Sequence, residues 1–155
     1  MNEQEKNISS NGEPETTQAP SPSEASTITK PGTLPDSYLS EGSMLEEDGA
    51  LRPEYIGRYA QALAGKLKPL PASTFYSAFL REAKVLRKKK TPYGAQKNCA
   101  LGMVTQAKKL VHRKKDPAPA VLLDMITAAT STVRDPASFE ALYMHLDAVY
   151  SYLLD

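Results

Sequence analysis

The sequence predicts an all-α fold: a compact bundle of about five helices preceded by a disordered N-terminal tail. From about residue 52 to the end, apolar residues recur every three or four positions, the spacing of one helix face, and no convincing alternating strand pattern competes with it. Proline-containing breaks divide that stretch into segments of helix length. Residues 1–48, by contrast, are rich in Glu, Pro, Ser and Thr, with apolar side chains scarce before Leu34. Such a segment buries too little apolar surface to offset the entropy of ordering it. The expected organisation is therefore a tail over 1–48 and a helical domain over 49–155. Within the tail, residues 34–46, with Tyr38, Leu39 and Met44, are the part able to fold on a partner.

The first helix starts near Pro53, which suits a first turn because its missing N–H would have no partner there. Tyr55, Ile56, Tyr59, Leu63 and Leu67 follow at helical spacing, and Lys68-Pro69-Leu70-Pro71 ends the run. A second helix begins near Pro71 or Ala72. Phe75, Phe79, Ala83 and Leu86 line one face, and Ser77, Arg81, Lys84 and Lys88 line the other. It closes on Arg87-Lys88-Lys89-Lys90, where cations meet the negative end of the helix dipole. Thr91-Pro92 reads as a cap and first-turn proline for a third helix that turns Cys99, Met103, Ala107, Leu110 and Val111 inward. Asp116-Pro117 is expected to open a fourth helix, with Leu122, Met125, Ile126, Ala129 and Val133 buried. Asp135-Pro136 opens a fifth, whose inner face carries Phe139, Leu142, Tyr143, Leu146, Val149, Tyr150, Leu153 and Leu154. Short connections favour antiparallel neighbours.

The net charge of +1 conceals a segregation. Residues 1–50 hold two bases against ten acids, residues 51–115 sixteen bases against two acids, and residues 116–155 one base against six acids. The basic part is densest from Arg81 to Lys115, where twelve Lys and Arg face the single acid Glu82. A basic middle between acidic flanks points to a polyanion, to an acidic protein surface, or to copies meeting basic face to acidic face.

Other chemistry finds little support. Cys99 is the only cysteine, so no disulfide forms within the chain, and two distant histidines do not build a four-ligand zinc site. Glycine-rich phosphate loops are absent. His112 reads as a surface residue in a basic cluster, His145 as core edge or surface on the fifth helix, and Cys99 as a small core residue. No run of about 18 apolar residues is present, and the N-terminus lacks the apolar core of a secretory signal, so a cytoplasmic protein without catalytic residues, metal or cofactor is expected.

Three stretches resemble a known family. Leu70 to Glu82, reading LPASTFYSAFLRE, is similar to its Ser-containing start of a basic helix. Lys97 to Lys115 is similar to its basic helix, and Val133-Arg134-Asp135-Pro136 followed by Phe139 through Tyr152 to its closing aromatic-rich helix. The family is the small subunit of type III-A CRISPR effector complexes, the small helical protein of the Csm complex, and the resemblance spans roughly residues 53–154. Where the family has an Arg soon after the Ser, this chain has Tyr76, with Arg81 further on. The resemblance implies a non-catalytic α-helical subunit in antiviral defence. Several copies stack along the guide RNA–target RNA duplex, beside the backbone subunits that cut RNA and with a large polymerase-like subunit in the same complex.

The faces of the second and third helices, rather than any motif match, nominate Arg81, Lys84, Arg87, Lys88, Lys97, Lys108, Lys109 and Arg113 as RNA contacts. Three rival readings share the basic surface. They are the equivalent small subunit of type III-B complexes, a helical protein–protein adaptor with a basic docking face, and a helix-turn-helix DNA regulator. The last needs a recognition helix with Arg, Asn or Gln near its start. The third helix starts Tyr93, Gly94, Ala95, Gln96, Lys97, Asn98, which is weakly compatible.

Overall fold

A computed structural model describes residues 33–88 and 90–155. Residues 1–32 of the expected tail, and Lys89, lie outside the described residues. Among the described residues, five helices carry the fold. After a 3-10 turn at Pro53–Tyr55 come α1 (Arg58–Lys66) and α2, which runs without interruption through Ala72–Phe75, a π-helical stretch Tyr76–Leu80 and Arg81–Leu86. Then follow α3 (Tyr93–His112), α4 (Val121–Thr130) and α5 (Pro136–Leu153). α1 packs along α5, α3 along α4, and α2 against both α3 and α5.

α5 is the spine. Its sequence stops and starts where physical chemistry says it should: Asp135 caps the helix by accepting from the Ser138 amide at 2.8 Å, the Ser138 hydroxyl reaches back to accept from the Asp135 amide at 3.0 Å, and Pro136 takes the first turn. The charge-favouring hydrogen bonds from Ser138 hold the Asp135 carboxyl below the usual range. Phe139, Leu142, Leu146 and Val149 are fully buried along one face, and Tyr59 and Leu63 of α1, with Leu67 just past its end, are buried too. Leu154, expected inside, is 62 % exposed because the helix has ended by then.

The π-helical stretch in α2 changes which side chains point inward. A regular helix carries Phe75, Phe79 and Ala83 to the core. The wider turn brings Leu80 in as well, so Phe79 and Leu80, adjacent in sequence, are both buried. Leu86 is only half-buried.

Two helix starts differ from expectation. Thr91 makes no capping bond; Pro92 occupies the cap position with extended backbone, and α3 begins at Tyr93. Asp116 does not open α4 either. It sits at φ 49, in the left-handed region, whereas a cap residue is extended. Pro119 forces Ala118 away from helical backbone, so α4 begins only at Val121. The intervening loop is tied back by the Ala118 amide, which donates to the Leu110 carbonyl at 2.9 Å.

The largest departure is at the N-terminal side. Residues 33–48, assigned to the tail, belong to the folded body. Tyr38 and Met44 are buried, Leu34, Leu39 and Leu45 pack against the core, and Leu45 pairs with Leu51 in an isolated antiparallel bridge. Their anchor is His145, fully buried on α5 rather than at the core edge. Its Nδ1 faces the Tyr55 carbonyl at 2.5 Å; a carbonyl only accepts, so the proton is on Nδ1. Nε2 is then the acceptor for the Tyr38 hydroxyl at 2.8 Å. The Tyr55 hydroxyl in turn accepts from the Leu39 amide at 3.0 Å. Tyr38 lies with ring centroids 5.8 Å from Tyr55, 5.6 Å from Tyr59 and 5.5 Å from His145, so four rings pack as one cluster.

Burial pushes the His145 imidazole down to about 4, against the smaller opposing effect of its bond to the Tyr55 carbonyl. The ring stays neutral in the folded state, so its contribution is intact above the unfolded-state value near 6.5. Below that, the unfolded chain binds a proton the folded chain refuses. From this site, unfolding free energy is expected to fall by about 1.4 kcal/mol per pH unit until about pH 4. Denaturant melts between pH 7 and 4.5 check this, and His145→Gln, which cannot titrate, should flatten the slope whatever its baseline. Tyr38→Phe leaves Nε2 buried without a donor and is expected to destabilise by about 1–3 kcal/mol in the same assay at pH 7.

Candidate nucleic-acid interface

The basic residues nominated from sequence fall into three groups. Lys84, Arg87 and Lys88, at the C-terminal end of α2, line one cleft together with Gln96 from the first turn of α3 and Pro136, Ala137 and Glu140 from the first turns of α5. The cleft encloses about 720 Å³, within the range of ligand-sized sites. Lys84 and Lys88 are exposed, and no carboxylate among the described residues pairs with either.

Lys97 and Lys108 form a second group on α3. Lys97 follows Gln96 directly, so their stripe begins beside the cleft, and Lys108 lies about 16 Å further along the axis on the same side. Leu101, 59 % exposed, sits between them. Both lysines are exposed and without ion-pair partners among the described residues. His112 continues the stripe as an exposed residue and contacts the Lys108 carbonyl.

Arg81, Lys109 and Arg113 stand apart from the cleft. Arg81 donates to Ser77 Oγ, one turn back, at 2.9 Å and stays exposed. Lys109 lies about 100° round α3 from Lys108. Arg113 is half-buried, and its Nε donates to the Asp116 carbonyl at 2.6 Å, which staples the loop before α4.

Arg87 differs from the other nominated cations. It has a carboxylate partner within the chain, Glu140. Nε donates to Glu140 Oε1 at 3.0 Å and Nη2 donates to Glu140 Oε2, a two-pronged pair that matches the guanidinium fork to the carboxylate. The same guanidinium lies 4.3 Å from the centre of the Tyr143 ring. The Glu140 hydrogen bonds raise the Arg87 pKa further. Arg87 therefore separates the flanking lysines while bringing no unbalanced charge of its own.

Two polar residues of the cleft, Glu140 and Gln96, stand outside the residues nominated as RNA contacts. Glu140 lies 53 residues from Arg87, and no local pattern links them. Gln96 is 3 % exposed. Its Nε2 donates to the Leu86 carbonyl at 2.9 Å, which fixes the orientation of the amide and leaves Oε1 as a buried acceptor without a donor. An unmet acceptor of this kind costs about 1–3 kcal/mol.

Glu82, the one acid of the basic stretch, turns toward Cys99 across a separate groove. Burial, with Glu82 beside it, pushes the thiol up to about 12. Among the described residues no cluster of His, Cys, Asp and Glu could hold a metal ion, and no helix is long and apolar enough to cross a membrane. Tyr76 packs on Tyr150, ring centroids 5.2 Å apart, rather than standing free for base stacking.

Comparison with protein-family models, with curated proteins and with solved structures finds no match.

Arg87→Ala is expected to lower unfolding free energy by about 1 kcal/mol, since its ion pair and ring contact are partly exposed, and to change RNA affinity less than about threefold. Parallel chemical melts and RNA titrations of the one variant check both; a large affinity loss without destabilisation would return Arg87 to the phosphate set.

Proposed function

We propose that this chain is a non-catalytic RNA-binding subunit of a ribonucleoprotein. In particular we propose the small subunit of a type III-A CRISPR complex, stacked in several copies along the guide RNA–target RNA duplex. The observation that carries the reading is the set of exposed lysines without carboxylate partners: Lys84 and Lys88 beside the cleft, Lys97 and Lys108 along α3, and Lys109 on its flank. Lysines on the rigid axis of one helix and the end of another meet successive phosphates of a backbone. Such contacts position a nucleic acid without reading its sequence.

Further support comes from the resemblance of Leu70–Glu82, the basic helix and the Asp135-Pro136 helix to that family. The exposed Val85 and Leu101 beside these cations, and Ile56 and Met144 in a second groove on α5, are apolar surface of the kind that neighbouring subunits cover. The partners in this reading are the two RNA strands, further copies of the chain, the backbone subunit and the large polymerase-like subunit.

RNA affinity is expected to fall about a hundredfold between about 50 and about 200 mM salt, the response to neutralising four phosphates, with little sequence preference. A filter-binding or anisotropy series measures it. Reversing Lys84, Lys88, Lys108 and Lys109 to Glu should leave the helical circular dichroism signal intact and abolish RNA retention. A flat salt response would favour the adaptor reading, and preference for one duplex DNA site would favour a regulator.

A further inference from the structure

The segment over residues 33–51 is fastened to the helical body more lightly than the helices are to one another. Among the described residues it buries only Tyr38 and Met44 in the apolar core, and every other buried apolar side chain lies at Tyr55 or beyond. Leu34, Leu39 and Leu45 are half-buried. Several of its backbone bonds close on the segment itself or its flank. The Gly42 amide donates to the Leu39 carbonyl at 2.9 Å, and the Arg52 amide to the Met44 carbonyl at 2.9 Å. Its ion pair, Glu41 with Arg52 at 2.7 Å, is local too. The Tyr38 hydroxyl on His145 and the Leu39 amide on the Tyr55 hydroxyl tie it to the body.

The seat also carries strain. Ser37 (φ 66) and Leu39 (φ 57), on either side of Tyr38, hold left-handed backbone, which is unfavourable for residues with a Cβ. Opening relieves both. A segment with few buried contacts and stored strain opens before the whole fold does.

Opening uncovers an imidazole that has no charged partner. The strap meets His145 with the Tyr38 hydroxyl and ring, and the turn before α1 meets it with the Tyr55 carbonyl and ring. Tyr59 of α1 completes the cluster, with the Arg58 guanidinium 4.5 Å from its ring centre. Burial and the Tyr55 carbonyl are what act on the ring, with no carboxylate among them, and Glu41 is turned to Arg52.

We propose that residues 33–51 are a proton-gated latch: they leave their seat as a unit while the helices stay folded, and a proton taken up by the uncovered His145 holds them open. Re-seating over the imidazolium would bury a charge that nothing balances. The open surface presents Tyr55, Tyr59 and that cation, a face the closed protein hides. The sign follows from linkage. An uncovered ring titrates near 6.5 and the seated ring at about 4, so between these values each fall in pH favours the open form. The latch does not depend on the RNA-binding reading.

Hydrogen exchange of the intact chain, read by mass spectrometry at pH 7 and pH 5 relative to the intrinsic rate at each pH, tests it. Peptides over 37–45 should be less protected than peptides over 142–149 at both values. Protection over 37–45 should fall about ten- to twentyfold from pH 7 to pH 5, with the helical circular dichroism signal unchanged. His145→Gln keeps one donor and one acceptor but takes up no proton, and should cancel that fall. Equal protection of the two regions overturns the latch, because the segment then opens only with the whole fold. Protection over 37–45 that is the same at both pH values overturns the proton gate, and so does a fall that persists in folded His145→Gln. The wild-type comparisons need no variant, so they decide the matter even if His145→Gln unfolds.

Discussion

The hydrogen bonds of one buried imidazole hold three parts of the chain in register. His145 reaches from the middle of α5 to the Tyr55 carbonyl before α1 and to the Tyr38 hydroxyl in the N-terminal strap. A neutral imidazole has one donor and one acceptor, and both are matched here with nothing left over. Apolar packing supplies most of the driving force for folding, but it is tolerant of small slips. A donor–acceptor pair buried on both sides is not tolerant, because any slip leaves polar atoms unmet. The strap consequently has one seat on the body, and the α1–α5 pair beneath it keeps the position that places Glu140 and Pro136 beside the end of α2.

That placement governs the electrostatics of the basic surface. Glu140 meets Arg87 and so removes one cation from a row of three, leaving two lysines with neutral ground between them. Lys97 and Lys108 extend the row along α3 without internal acids to quench them. Twelve bases within 35 residues are thus not an undifferentiated cloud. Some staple the fold, as Arg87 and Arg113 do, and the others among the described residues face solvent.

Much of the fold was legible in the sequence because its signals are local. The Asp135-Pro136 start of α5 is a cap with a mechanism, and the inner faces of α3 and α4 follow from spacing alone. Where the chain departs from expectation, the deciding physics is either a proline at the wrong remove or a partner far away. Pro119 overrode the cap expected at Asp116. The strap reads as tail because its composition is poor in apolar residues, yet its two buried side chains, Tyr38 and Met44, find a prepared site. Tyr38 lies 107 residues from His145, and no periodicity spans such a distance. The candidate site divides the same way. Exposed lysines on helix faces follow from spacing, whereas the loss of Arg87 to Glu140 and the orphaned acceptor of Gln96 arise only when three helix ends meet.

The wide turn at Tyr76–Leu80 has a consequence for how this surface could vary. A π stretch is a helix carrying one residue more than its length requires. Shortening it by a single position would restore regular winding and leave the helix still able to span the same gap. The wide turn absorbs the rotation of about 100° that its extra residue would otherwise impose, so the segments on either side would keep their facing. The charged end of α2 therefore keeps its side of the body when one residue is gained or lost at the wide turn, so a lineage of such chains could change the length of this segment without redesigning the interior.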